Sequence, residues 1–123
     1  MVGKVATVTT TVTEKNTAKT IGSGNLDVFS TPMMIALMEQ AACECLADEL
    51  TDNQSSVGTQ INIVHTAASP LGAKIFATAT ITQFEGRKVS FAITANDDKT
   101  QIGNGTHERF IVDAERFMAK LSQ

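Results

Sequence analysis

The chain has 123 residues, 42% hydrophobic and 19% charged, and carries a net charge of −3. That length supports one domain with a real core and not two, so residues 1–123 are expected to form a single domain. The acidic balance excludes a broad nucleic-acid-binding surface, no uncharged run is long enough to span a bilayer, and no basic–apolar–small leader opens the chain, so neither nucleic acid nor membrane is expected as a partner.

The elements follow in order. Lys4 to Thr13 alternates valine and threonine and reads as a β-strand. Glu14-Lys15-Asn16 turns, and Thr17 to Ile21 is expected to return as a second short strand. Gly22-Ser23-Gly24-Asn25 then loosens the backbone ahead of Leu26 to Ser30. Thr31-Pro32 combines a hydroxyl N-cap with proline at the first helical position, which predicts a long helix from Thr31 to Leu50. Strands dominate from there: Ser56 to Thr66, Ala73 to Thr82, Lys88 to Ala95 and Thr100 to Val112, with Glu85-Gly86 marking a hairpin. Asp113 to Leu121 closes as a short helix. One mostly apolar helix must be enclosed, and an antiparallel sheet curled around it is the simplest solution, an α+β arrangement. Exposed sheet edges predict dimerisation through an edge strand or a helix face.

Three side chains break this plan in a way that suggests chemistry. At about 100° per residue, Glu39 falls in the helical stripe of Ile35, Ala42, Leu46 and Leu50, where a carboxylate is costly unless hydrogen-bonded or protonated. Strand alternation puts His65 on one face with Val57, Thr59, Ile61 and Ile63, the face expected to meet the helix. Thr31 places a hydroxyl at the helix N-terminus, where free amides favour developing negative charge. Each has a plainer reading: Thr31 as a cap alone, Glu39 as an acid satisfying a backbone group or a dimer partner, and His65 as a hydrogen-bonded core or interface histidine. Thr31 and Glu39 are about 12 Å apart along a helix, so one small substrate touches both only if the site runs along the helix or spans two subunits. His107, opposite Phe110 and Val112, reads as structural or exposed. Cys43 and Cys45 point to different helix faces, cannot bridge each other, and read as packing residues of a protein in a reducing cytoplasm.

The run Ser30-Thr31-Pro32-Met33-Met34-Ile35-Ala36-Leu37-Met38-Glu39-Gln40-Ala41-Ala42 resembles the central helix of hotdog-fold thioesterases of the fluoroacetyl-CoA thioesterase type. The resemblance continues through Ser56-Val57-Gly58-Thr59, His65, Ser69-Pro70-Leu71-Gly72, Glu85-Gly86-Arg87-Lys88 with Phe91, Ile102-Gly103 and Gly105 to Phe110. It implies a hotdog fold, a dimer with a continuous sheet and an interfacial site, and hydrolysis of an acyl-CoA or related thioester. The family's catalytic threonine, glutamate and histidine fall on Thr31, Glu39 and His65. Its glycine turn falls on Gly58, and Arg109 lies in the strand that closes the site. No metal or separate cofactor is implied, coenzyme A arriving as part of the substrate. Arg87 and Lys88, with Lys74 and Arg109, are the cations available to its phosphates. Fluoroacetyl-specific members carry a longer aromatic segment before the helix. Here that stretch is short and glycine-rich with Phe29 as its only aromatic, which implies a general short-chain acyl group. The alternative on the same scaffold is a non-catalytic acyl-thioester binding protein. A hotdog hydratase lacks its aspartate–histidine motif here, and a purely structural dimer leaves Glu39 unexplained.

Overall fold

A computed structural model describes residues 1–123. Strand β1 (Val5–Thr11) leads to a four-residue helix α1 (Ala18–Ile21), the long helix α2 (Thr31–Leu46) and a 3-10 turn over Ala47–Glu49. Strands β2 (Gln54–His65), β3 (Lys74–Glu85), β4 (Lys88–Asn96) and β5 (Gln101–Asp113) follow, and α3 (Ala114–Leu121) ends the chain. The five strands make one antiparallel sheet in the order β1-β3-β4-β5-β2, which leaves β1 and β2 as its edges. The sheet wraps α2, giving the α+β hotdog arrangement. No helix is long and apolar enough to cross a membrane.

The packing follows the alternation closely in the middle strands. Ile75, Ala77, Ala79 and Ile81 of β3, and Val89, Phe91, Ile93 and Ala95 of β4, are all buried under the helix. Small alanines on both sides, including Ala41 and Ala42 of α2, let the helix sit low on the sheet, while Met34, Met38 and Phe91 fill the remaining volume. Burying side chains of that size contributes about 1.5–3 kcal/mol each. The β3–β4 hairpin turns at Gly86, whose φ of 61° is the left-handed conformation glycine adopts at no steric cost.

Three local expectations change. Thr17 to Ile21 is a helix rather than a strand, because the Thr17 hydroxyl caps the Thr20 amide and Gly22, at φ 92°, closes the other end. The buried face of α2 is Met34, Leu37, Met38, Ala41, Ala42, Cys45 and Leu46, so Glu39 stands on the flank of the core and not within an apolar stripe. In β2 the register against β5 jumps between Gly58 and Gln60, leaving Thr59 as a bulge. The extra residue reverses the alternation. Ser56 and Gly58 face the helix side before the bulge, as their contacts with Arg109 and Glu39 show, and Ile63 and His65 turn inward after it. Of the cysteines, Cys45 is buried and Cys43 is exposed.

Candidate active site

The N-terminus of α2 is capped by Ser30, whose hydroxyl accepts from the Met33 amide at 3.3 Å. Thr31 is therefore the first helical residue and not the cap. Its hydroxyl is free for other work, and Oγ1 lies 2.7 Å from His65 Nδ1. Pro32 has no N–H and Ser30 takes the amides of Met33 and Met34, so the helix offers only the Thr31 N–H to an incoming oxyanion.

His65 is half-buried, and its Nε2 is shielded from solvent without a hydrogen-bond partner. Burial pushes its pKa below the ordinary imidazole value, with the Ala67 backbone pulling the other way. Near neutral pH the ring is uncharged, with one nitrogen engaged by Thr31 and the other available. Thr31 and His65 line a cavity of about 300 Å³ walled by the buried Phe29 and by Val28, Ala67 and Ser23. A buried atom of this kind is expected to face a substrate or water.

Glu39 belongs to a second cluster. Its Oε2 lies 3.3 Å from Nη1 of Arg109 and 4.0 Å from Nε2 of His107. Arg109 is 7% exposed and held on its other side by Ser56, with Nε donating to Oγ at 2.8 Å and Nη2 to the carbonyl oxygen at 3.1 Å. Gly58 pairs with Arg109 across the ladder. A Cβ there would lie 2.7 Å from Glu39 Oε2 and 3.3 Å from Arg109 Nη1, so only glycine leaves this cluster its space. The Glu39 side chain is 42% exposed, open to whatever docks along this flank.

The structure thus joins Thr31 with His65, and Glu39 with Arg109 and Gly58, but makes no hydrogen bond between the two groups. Phe29 lies in the wall of the Thr31–His65 cavity. Arg87 and Lys88 lie at the β3–β4 hairpin, at the Arg109 end of β5 and away from the Thr31–His65 cavity. Each is already paired, Arg87 with Asp113 at 3.6 Å and Lys88 with Glu108 at 3.5 Å. Two participants escape a reading of sequence, Ser56 and His107. Of the two roles expected for His107, structural or exposed, its burial excludes the exposed one. The available signal was the run His107, Arg109, Ile111, in which two polar residues share a strand face with a core residue.

A sheet-wrapped helix with a hydroxyl–imidazole pair at its start and a carboxylate about two turns further on defines a hotdog thioesterase. Comparison with known proteins agrees. The sequence model of the family described as fluoroacetyl-CoA-specific thioesterase matches residues 12–115. A fluoroacetyl-CoA thioesterase of Streptantibioticus cattleyicolor is 41% identical over 97 residues, 79% of this chain and 70% of the relative. The solved structure of a variant of the fluoroacetyl-CoA-specific thioesterase FlK, in complex with fluoroacetate and CoA, superposes with a TM-score of 0.90 at 34% identity, covering 95% of this chain and 98% of that one. A thioesterase superfamily member from Thermus thermophilus shares the fold, with a TM-score of 0.91 at 23% identity over 99% of this chain and 90% of that one. The chain belongs to the fluoroacetyl-CoA-specific thioesterase family and is a thioester hydrolase.

Proposed function

We propose that this chain hydrolyses short-chain acyl-CoA thioesters in a reducing cytoplasm, as a homodimer whose partner completes each site. The observation that carries this reading is the 2.7 Å contact between Thr31 Oγ1 and His65 Nδ1 beside an open pocket of about 300 Å³ that admits a short acyl group. In the reaction, water adds its oxygen to the acyl carbon, the C–S bond breaks, and the thiolate takes a proton to leave as CoA. Glu39 serves as the base for that water or as the nucleophile itself, in which case water releases the acyl group from its carboxylate. The Thr31 hydroxyl and N–H hold the thioester oxygen, with the Gly58 backbone as a further support. His65, uncharged, orients the hydroxyl through Nδ1, and its free Nε2 takes up a proton released by the attacking water and hands it to the leaving sulfur.

Glu39 lies about 12 Å down the helix from Thr31, which is too far for one acyl group to touch both. It is exposed on the side of the unpaired edge strand β2, a ready template for a second copy. A dimer through that edge brings one copy's Glu39 towards the other's Thr31 and His65. Nothing aromatic covers the cavity besides Phe29, and Ser23 of the glycine-rich segment lines its mouth, which supports a general short acyl group over a fluorinated one. Arg87 and Lys88 are the proposed dock for the phosphates of CoA. Their removal is expected to abolish the salt dependence of KM, and an unchanged dependence argues against docking there.

The test is release of free thiol from a panel of acyl-CoAs. Wild-type turnover, lost in Glu39→Gln and His65→Ala, is the expected result. Wild-type rates in both variants sink the assignment. Saturable acyl-CoA binding without thiol release by the unaltered chain identifies a binding protein instead.

A further inference from the structure

Beyond the residues used above, one buried group touches both Arg109 and the neighbourhood of Glu39. His107 is 1% exposed and stacks on Phe91, with ring centroids 5.9 Å apart. Its Nδ1 lies 2.7 Å from the backbone oxygen of Gln60. A carbonyl oxygen only accepts, so Nδ1 carries the proton and Nε2 presents a lone pair. That lone pair faces Nη1 of Arg109 at 3.2 Å, a group that only donates. The two observations fix the tautomer from both ends of the ring.

We infer that His107 is a positioning residue for hydrolysis, a hydrogen-bond acceptor that pins the guanidinium of Arg109 and through it the carboxylate of Glu39. Arg109 carries its donors in a rigid plane. Ser56 fixes two of them, at 2.8 and 3.1 Å, and His107 fixes the third nitrogen, so the direction in which Nη1 meets Glu39 is set. Without the acceptor, Nη1 has only the half-exposed carboxylate to follow, and the pair drifts towards solvent. A proton on Nε2 would set donor against donor and push Arg109 away. Several groups surround the ring: Glu39 from α2, the Gln60 carbonyl from β2, Phe91 from β4, and Arg109 with Glu108 on its own strand. Burial is the strongest of their effects and favours the neutral ring.

The inference rests on the hydrolase reading, and two substitutions separate it from a packing role. Glutamine places an amide oxygen near Nε2 and keeps an acceptor for Arg109 without a titrating proton. Asparagine places an amide nitrogen near Nδ1 and keeps only the bond to Gln60. His107→Asn is expected to lower kcat about 10- to 100-fold with KM within about 3-fold of wild type, the size of loss that misplacement by about 1 Å produces. His107→Gln is expected to stay within about 3-fold, with the acid limb of its kcat/KM profile one proton less steep than wild type. In an Arg109→Lys background, His107→Asn should cost nothing further, since the route through Arg109 is already cut. Equal losses in the Asn and Gln variants, an unchanged acid limb in His107→Gln, or additive losses with Arg109→Lys would each overturn the proposal. Should His107→Asn fail to fold, the acid limb of His107→Gln decides. The Arg109 Nε–H resonance gives a readout independent of activity: sharp in wild type and His107→Gln, exchange-broadened in His107→Asn. If wild type releases no thiol the hydrolase reading fails, and if the resonance is equally sharp in all three proteins the pinning fails.

Discussion

Replacing Gly58 by alanine should separate activity from stability. The added Cβ would lie 2.7 Å from Glu39 Oε2, against about 3.4 Å for an ordinary contact, so the carboxylate must retreat by about 0.7 Å. Arg109 Nη1 and His107 Cε1, each 3.3 Å away, must give by a few tenths. Glu39 is the flexible end of a 42%-exposed side chain and moves cheaply, whereas Arg109 is held by Ser56. Alanine also removes backbone freedom from the unfolded chain, worth about 0.4–1 kcal/mol, which offsets the strain. The net stability change is expected within about 1 kcal/mol, or about 4 °C in Tm for a chain of this size. Displacement of the carboxylate should lower kcat/KM about 10- to 100-fold, a barrier increase of about 1.4–2.7 kcal/mol. Thermal melts and acyl-CoA turnover on the same preparation check both halves. Wild-type turnover in Gly58→Ala refutes the placement of Glu39 in the reaction, and a loss of activity matched by unfolding refutes the argument that glycine serves the site.

Two further predictions come from the helix start and the histidines. Ser30→Ala should cost about 1 kcal/mol of stability and leave turnover within about 2-fold, whereas Thr31→Val should keep Tm and lose at least about 10-fold in kcat, with Thr31→Ser restoring most of it; the reverse pattern would return the cap to Thr31. Both imidazoles are pushed by burial below the usual 6.5, so as pH falls through 6.5 the unfolded chain takes up protons that the folded chain does not. Stability is therefore full above that value and declines as pH drops below it. A Tm that stays level or rises between pH 7 and 5 contradicts this, and the slope should shrink in His107→Gln.

Much of the fold is legible in the chain because its signals are redundant. β3 alternates from Ile75 to Ile81, ahead of a register shift at Thr82, and β4 from Val89 to Ala95. Gly86 marks their turn, and Ser30-Thr31-Pro32 announces the helix, although which of the two hydroxyls caps it depends on local geometry. The inward face of α2 is harder to read. Met33 to Met38 is apolar all round, so several stripes fit, and the one containing Glu39 is displaced from the face the sheet buries. The bulge at Thr59 leaves no mark in the alternation, yet it brings Gly58 to the same side as His65. Thr17 to Ile21 is β-branched at three of five positions, and its local caps override that preference. The two periodicities single out Glu39 and His65 as inward residues, whereas the contact of His65 with Thr31 depends on Ser30, not Thr31, capping the helix. The Glu39–Arg109–His107 cluster was not foreseeable, because it depends on which residues of β2 and β5 lie opposite each other.

The central claim is that Glu39 of one copy works with Thr31 and His65 of another. Mixing two inactive variants, Glu39→Gln and His65→Ala, tests it directly. After unfolding and co-refolding in equal amounts, half the dimers are mixed, and each mixed dimer has one site with all three side chains intact if the site spans two copies. Thiol release from an acyl-CoA should then return to about a quarter of the wild-type rate. If the site lies within a single copy, every site in the mixture carries a defect, and a rate no higher than that of the separate variants would contradict the account.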